Sequence, residues 1–373
     1  MIVTTVAITH EAFLLPHAQL LRDAGHRVVG VSRGLARSAA ARATYDAVYN
    51  IPLGRNPPVA DLFRSATALR RIVIAERADA VWLHTPLASA VGRVALAGQR
   101  RRGLLVAYMA HGFHFGSVSR TPMSRVFNAV EWTLSTVTDH LQTVNEEDYR
   151  RALGFPGRNP ANTVLTAGVG VDLHRLKAAH LARARSRHLL RLAEEDFAVF
   201  IVGDLNPEKR VADAIRAVHK IGGRARLYVV GDGPQRGSLE RLADETGGRR
   251  ARFLGFRRDL PDLLPAADVL VHPSSREGLP TVVLEAQGMG IPVVGAHVRG
   301  TASLLTGGAG LTHPMGDIAA MATELRRVRD DPDLRAGLVA KGLERAEEHR
   351  LDVAVECARG VSAVLTARRR SAV

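Results

Sequence analysis

The sequence predicts an α/β protein built from two doubly wound, Rossmann-like domains. Three observations carry this. Short apolar runs rich in β-branched residues alternate with amphipathic helical stretches from end to end. The alternation is interrupted once and then restarts, and 373 residues suit two domains of ~150 residues each.

Residues 1–8 read as a strand, 11–24 as a helix stopped by Gly25, and 26–31 as a second strand. Pro57 and Pro58 open a long amphipathic helix through Arg77, since proline is tolerated in a first helical turn. Strands follow at 80–84, 104–109 and 140–144, separated by helical stretches. Such a βαβ series favours a parallel sheet with helices on both faces. The pattern falters between about 171 and 195, where HRLKAAHLARARSRHLLRL is basic and turn-flanked. It restarts with strands at 197–202, 226–230, 268–271 and 291–294, each followed by a helix. The expected domains are therefore 1–175 and 190–350, with a helix over 351–370 that packs back on the first. Doubly wound sheets take ligands at the carboxyl ends of their strands, so the expected site is a central cleft between the facing domains.

The chain is 46% hydrophobic and 24% charged, as in soluble globular proteins, and no segment approaches the ~18–20 apolar residues of a membrane span. The start, MIVTTVAITHEAF, has no basic n-region or cleavage site, so no secretory signal is expected. The single cysteine, Cys357, excludes a disulfide framework and a cysteine-built zinc site, which fits a reducing cytoplasm. Net charge is +14 and uneven. Residues 1–186 carry 23 basic against 12 acidic side chains, and residues 187–373 carry 28 against 25. The excess fits an anionic membrane surface or substrate, or a compositional bias, since only four of the 51 cations are lysines. Nucleic acid is excluded as a partner: aromatics are 5% and no stacking platform is present.

The densest chemical signal is His272-Pro-Ser-Ser-Arg-Glu-Gly-Leu-Pro-Thr-Val-Val-Leu-Glu285. A strand ends in a Gly/Pro loop and a helix begins near Thr281, so the amides of Gly278, Leu279 and Thr281 can point outward at a helix N-terminus, which suits phosphate. Glu277 and Glu285, eight residues apart, are acceptors for sugar hydroxyls; the bland alternative is a capped helix with two exposed glutamates. Upstream, Gly203-Asp-Leu-Asn-Pro-Glu-Lys-Arg210 places Lys209 where its ammonium can meet a diphosphate, against the alternative of a solvated first-turn lysine. Gly231-Asp-Gly-Pro234 fits a close backbone approach to a ligand. In the first half, Tyr108-Met-Ala-His-Gly-Phe-His-Phe-Gly116 follows a strand, with His111 and His114 both able to face a cleft. No third ligand with metal spacing lies nearby, so His111 reads as a polar contact or proton-handling group. His84-Thr-Pro86 is a weaker relative of that motif, and Asn145 reads as an N-cap. Asp331-Pro-Asp333 has the spacing of a metal-binding Asp-x-Asp but sits between two helices, where capping explains it.

With these residues in view, the chain resembles retaining glycosyltransferases of family 4, which have the GT-B fold. Glu277 and Glu285 in Arg276-Glu-Gly-Leu-Pro and beyond match the family's Glu-x7-Glu motif. HTPLASAVGRVA, AHGFHFG, VEWTLSTVTDHLQTVNEEDYRRA and GVGVDL resemble the exopolysaccharide and capsule branch. The similarity runs from about residue 1 to about 350. It implies sugar transfer from a UDP-linked donor with retention at the anomeric carbon and without a metal. It implies that Glu285 holds the ribose hydroxyls, and that Glu277 with residues Gly278 to Thr281 holds the donor sugar and phosphates. Lys209 would neutralise the diphosphate, and His111 would stand by the donor sugar and the acceptor hydroxyl. The implied donor side also includes Asn206, Gly231, Gly233, Arg276, Leu279 and Pro280. The implied acceptor side comprises His10, His84, His111, Phe113 and His114. The pattern departs from the family at Asp204, where an arginine is usual, so Arg276 or Arg210 is expected to complete the diphosphate clamp. Arg299-Gly-Thr-Ala-Ser303 and the segment SVSRTPMSRVF also depart from it.

The expected activity is thus a cytoplasmic retaining hexosyltransferase acting on a polyprenyl-diphosphate-linked saccharide at a membrane face. The alternatives are a soluble acceptor such as an aminocyclitol, a nucleotide-sugar epimerase, and a binding partner without activity.

Overall fold

Strands covered on both faces read as unbroken apolar runs, and Leu105–Ala110 and Phe197–Val202 are buried along almost their whole length. Around these two strands the computed structural model, described over residues 1–54, 56–113, 115, 122–180, 182–247 and 250–371, builds two parallel sheets.

The first sheet comprises β1 (Ile2–Val6), β2 (Val29–Arg33), β3 (Ala47–Tyr49), β4 (Ala80–His84), β5 (Leu105–Ala110), β6 (His140–Thr143) and β7 (Thr163–Leu165), in the order β3-β2-β1-β4-β5-β6-β7. It belongs to a unit formed by Met1–Gly170 and Asp352–Val373. The last helix, Glu356–Ser371, is fastened to this unit by Gln142, whose Nε2 donates to the Cys357 carbonyl at 2.7 Å. The second sheet comprises β8 (Phe197–Val202), β9 (Ala225–Val230), β10 (Ala251–Gly255), β11 (Val269–His272), β12 (Val293–Ala296) and β13 (Leu311–His313), in the order β10-β9-β8-β11-β12-β13. Its unit is Val171–Leu351, and the two ends of that segment are bonded together, Val171 N to His349 O and Leu351 N to Val171 O. Both sheets have the doubly wound order, and the α/β class expected from the sequence is the one observed.

Several details differ from the sequence expectation. β3, β7 and β13, of three residues each, and β10 lie at the sheet edges, where little is buried and the sequence leaves no strand pattern. The first helical segment starts at Ala7 and passes through a π turn at His10–Leu14 before the α-helix Leu15–Asp23. Pro16 explains the irregularity, because it has no N–H to give to the preceding turn. The stretch read as an interruption holds two short helices, Leu173–His180 and Arg183–Leu189. Asn145 caps the helix Glu146–Leu153, and Asp331 caps Pro332–Glu348 by accepting from Leu334 N at 2.9 Å.

One buried ion pair joins two helices of the first unit. Arg93, 1% exposed on Pro86–Arg100, gives Nη2 to both carboxylate oxygens of Glu131 on Pro122–Leu134, at 2.9 and 2.8 Å. Its guanidinium lies 4.4 Å from the centre of the Tyr108 ring. Removing one partner strands a buried charge, so Arg93→Met should cost roughly 3–5 kcal/mol in urea unfolding, and adding Glu131→Leu should restore most of it. A double variant no more stable than the single one would contradict this.

Candidate functional site

In the second unit the strand order reverses between β8 and β11, so the carboxyl ends of these neighbours form a natural crevice. The loop after β8 leads to a 3₁₀ turn, Pro207–Lys209, held by Asn206, whose Oδ1 accepts from the amides of Glu208 and Lys209 at 3.0 and 3.2 Å. The loop after β11 is tied to that turn: Ser275 N donates to Glu208 O at 2.8 Å, and Arg276 Nη2 donates to both Glu208 carboxylate oxygens. Asn206 and Arg276, read as donor ligands, are therefore engaged within the protein. Arg210 likewise gives Nε to Asp213 at 2.6 Å.

The fastened loops bring Lys209 and Glu277 together. Glu277 Oε1 accepts from Lys209 Nζ at 2.6 Å and lies 3.0 Å from His272 Nε2, while Oε2 has no partner among the described residues. Burial alone would raise the Glu277 pKa; the His272 bond and charge, and then Lys209, outweigh it and hold the carboxyl at about 2. His272, 1% exposed, is a site residue to which the sequence reading gave no role. The missing signal was its position as the last residue of β11, beside the switch point.

Eight residues on, Glu285 lies one turn into Thr281–Gly288, half-buried and without a hydrogen-bond partner among the described residues. Burial lifts its pKa to about 7 against the opposing charge of Arg175. Pro280 occupies the N-cap of this helix and has no side chain to cap it, so the first-turn amides near Leu279 and Thr281 stay available as donors. A further loop closes on the motif. A Cβ at Gly300 would sit 2.2 Å from the Gly278 carbonyl oxygen, so only glycine admits the helix Arg299–Leu305 there. Arg299 Nε reaches the Glu277 carbonyl at 3.3 Å. Gly231 and Gly233 show a close approach of another kind. A Cβ on Gly231 would lie 2.0 Å from Gly203 O, and one on Gly233 would lie 2.7 Å from Leu205 N. The tight packing is between the β8 and β9 loops themselves.

In the first unit the order reverses between β1 and β4. His84, the last residue of β4, places Nδ1 3.0 Å from His111 Nε2, with the rings stacked at 5.2 Å. One proton serves this contact, so one nitrogen donates and the other accepts. Burial holds both rings neutral, His84 well below the usual range and His111 at about 4. The next residue, Thr85, has φ +64° and its hydroxyl is 2.6 Å from that of Thr5 on β1. Neither threonine was singled out from sequence.

Two acceptor-side expectations are corrected here. His10 is fully buried, with Nδ1 on Tyr45 OH at 2.7 Å and Nε2 on Val31 O at 3.3 Å, so both ring nitrogens serve the fold. Phe113 is 2% exposed and stacks on Phe115 at 5.0 Å, beside Phe155, which makes it a core residue. His114 lies outside the described residues.

The profile described as "Glycosyltransferase Family 4" matches residues 11–175, and "Glycosyl transferases group 1" matches residues 196–331. EpsD of Bacillus subtilis, assigned as a glycosyltransferase, is 30% identical over 350 residues, covering 92% of this chain and 90% of that protein. An Escherichia coli UDP-Gal:alpha-D-GlcNAc-diphosphoundecaprenol alpha-1,3-galactosyltransferase is 28% identical, covering 75% and 73%. Among solved structures, HepE of Anabaena with UDP and glucose superposes with a TM-score of 0.80 at 20% identity, over 98% of each chain. That likeness bears on the GT-B fold.

The Glu277 arrangement has a measurable consequence. With its pKa depressed, the carboxylate stabilises the folded state above the ordinary range near 4.5, and this is lost as pH falls toward 2. Lys209→Met should lower stability by about 1–2 kcal/mol at pH 7, with the gap to wild type mostly closed only at about pH 2. Equal gaps at both pH values in urea unfolding would contradict it.

Proposed function

The chain belongs to glycosyltransferase family 4, a hexosyltransferase of GT-B fold, and on that premise we propose that it moves a sugar from a UDP-linked donor to a polyprenyl-diphosphate-linked saccharide. The observation that carries this reading is the set of unused hydrogen-bonding groups around Lys209, Glu277 and Glu285 at the carboxyl edge of one sheet. An ammonium has three donors and Glu277 takes one, so Lys209 keeps two for diphosphate oxygens. Glu277 keeps Oε2 for a sugar hydroxyl, and the unpartnered Glu285 carboxylate accepts from the ribose hydroxyls. The amides of Leu279, just before the helix, and of Thr281, its first residue, complete the phosphate cradle.

In the proposed reaction the bond from the anomeric carbon to the diphosphate oxygen breaks. The acceptor oxygen bonds that carbon on the same face, and the acceptor proton passes to the departing diphosphate. Lys209 stabilises the negative charge that grows on the leaving group. His111, neutral above about pH 4, serves as a hydrogen-bonding partner for the acceptor or donor sugar, and His84 fixes its tautomer. The chain itself supplies all of these groups, so the reaction is proposed to need no metal. The E. coli relative, named for a UDP-Gal donor and a diphosphoundecaprenol acceptor, supports both halves of the reading.

Thermal denaturation with UDP, GDP, ADP and a panel of UDP-sugars tests the donor. A ligand at one hundred times its Kd stabilises by about 2.7 kcal/mol, which raises Tm visibly for UDP and one UDP-sugar. Equal shifts for all nucleotides, or none, would overturn the donor assignment. Transfer to a lipid-linked saccharide compared with an aminocyclitol then separates the two acceptor classes.

The Glu285 environment adds a pH prediction. Ribose hydroxyls donating to the carboxylate favour its charged form, so UDP binding lowers this pKa from about 7 and releases a proton. Affinity should rise several-fold from pH 6 to pH 8, and Glu285→Gln should flatten the profile. Calorimetry in buffers of different ionisation enthalpy reads the proton directly; uptake instead of release would contradict the assignment.

Finally, Glu277→Ala should abolish transfer while leaving a folded protein. Turnover at the wild-type rate would refute its role.

A further inference from the structure

A bound diphosphate needs more positive charge than Lys209 supplies. In a sugar nucleotide each phosphate is negative, and the leaving group gains a further charge as the sugar departs. The Lys209 ammonium already meets the Glu277 carboxylate at 2.6 Å. Glu277 and Glu285 thus share the motif with a single ammonium, and an anion brought to that set alone would be repelled. The arginines nearest in sequence do not correct the balance. Arg276 gives Nη2 to both Glu208 oxygens, at 2.7 and 3.0 Å, and Arg210 gives Nε to Asp213. Each of those two charges is answered by a carboxylate.

Arg299 is placed differently. It opens the helix Arg299–Leu305, which follows β12, the strand beside β11. The approach to it is fixed, because His297 N donates to His313 O at 2.8 Å and Val298 N to Ala296 O at 2.7 Å. The next residue, Gly300, passes so close to the motif that a Cβ there would lie 3.0 Å from Glu277 O and 2.2 Å from Gly278 O. The helix start is therefore pressed onto the loop, and Arg299 Nε reaches Glu277 O at 3.3 Å. That oxygen is a neutral carbonyl in the peptide bond joining Glu277 to Gly278. The guanidinium accordingly stands beside the backbone that leads to the Leu279 and Thr281 amides. The helix it opens, RGTASLL, carries no acidic residue. A planar guanidinium also suits phosphate, since its fork can give parallel N–H bonds to two oxygens.

We propose that Arg299 is the second diphosphate-binding cation of the donor site, acting from the β12 side while Lys209 acts from the β8 side. With both in place the charge of Glu277 is offset and positive charge remains for the phosphates. The assignment rests on the nucleotide-sugar reading and adds to it the group that makes the site able to hold an anion.

Calorimetric titration of the full chain with uridine, UMP, UDP and inorganic pyrophosphate tests it. Arg299→Gln should weaken UDP and pyrophosphate by roughly tenfold or more and leave uridine within about twofold. Arg299→Lys should lose only part of that affinity, because the charge stays while the fork is gone. Arg241→Gln, at an exposed arginine on the helix Arg236–Glu245, should change nothing. A uridine loss as large as the UDP loss would make Arg299 a brace of the loop and overturn the proposal. Wild-type UDP affinity in Arg299→Gln, or an equal loss in Arg241→Gln, would overturn it too. A wild type that binds pyrophosphate but neither uridine nor UDP would sink the donor reading alone, with pyrophosphate still reporting on Arg299. A wild type that binds none of the four would sink both.

Discussion

A carboxylate that must stay charged while mostly buried is the constraint around which the second unit is arranged. Glu277 bears its charge because His272 and Lys209 converge on one of its oxygens from two different strand ends. That convergence requires β8 and β11 to be neighbours, which the doubly wound order supplies. It also requires the two loops to be locked in register, which Asn206, Glu208, Ser275 and Arg276 accomplish among themselves. Gly231 and Gly233 then let the adjoining loops close backbone to backbone, and Gly300 lets a third loop press on Gly278. The polar residues nearest the motif thus hold its shape, while Lys209, Glu277 and Glu285 keep hydrogen-bonding groups that no described residue uses.

That division explains what was legible in the sequence. The alternation of apolar runs and helices gave the fold class, because fully buried parallel strands leave an unmistakable apolar run. Glu277 and Lys209 stood out because they lie in loops that follow such runs, and Glu285 because it lies on the helix that follows the Glu277 loop. The short edge strands were not, since three residues at an edge bury too little to leave a pattern. Residues whose role depends on partners distant in sequence were also hidden. Asn206 and Arg276 read from sequence as donor-side residues, and only the structure shows that they also brace the loops, Asn206 within its own turn and Arg276 across 68 residues to Glu208. His10 is the same lesson in the first unit: its place after β1 suits a ligand, but Tyr45 and Val31 claim both its nitrogens.

The two units handle ionisation differently at the carboxyl edges of their sheets. The second gathers charge, with one carboxyl pressed far down and another lifted to about 7 within a single motif. At the carboxyl edge of its sheet the first keeps His84 and His111 neutral in contact with each other. A diphosphate calls for the former environment; a neutral sugar hydroxyl is better met by the latter.

Hydrogen–deuterium exchange of the full chain with and without UDP tests most directly the claim that the β8–β11 switch point is the nucleotide site. The account predicts slowed exchange in residues 203–210 and 277–288, with the sheet cores unchanged. Protection confined to other segments, at saturating UDP, would contradict it.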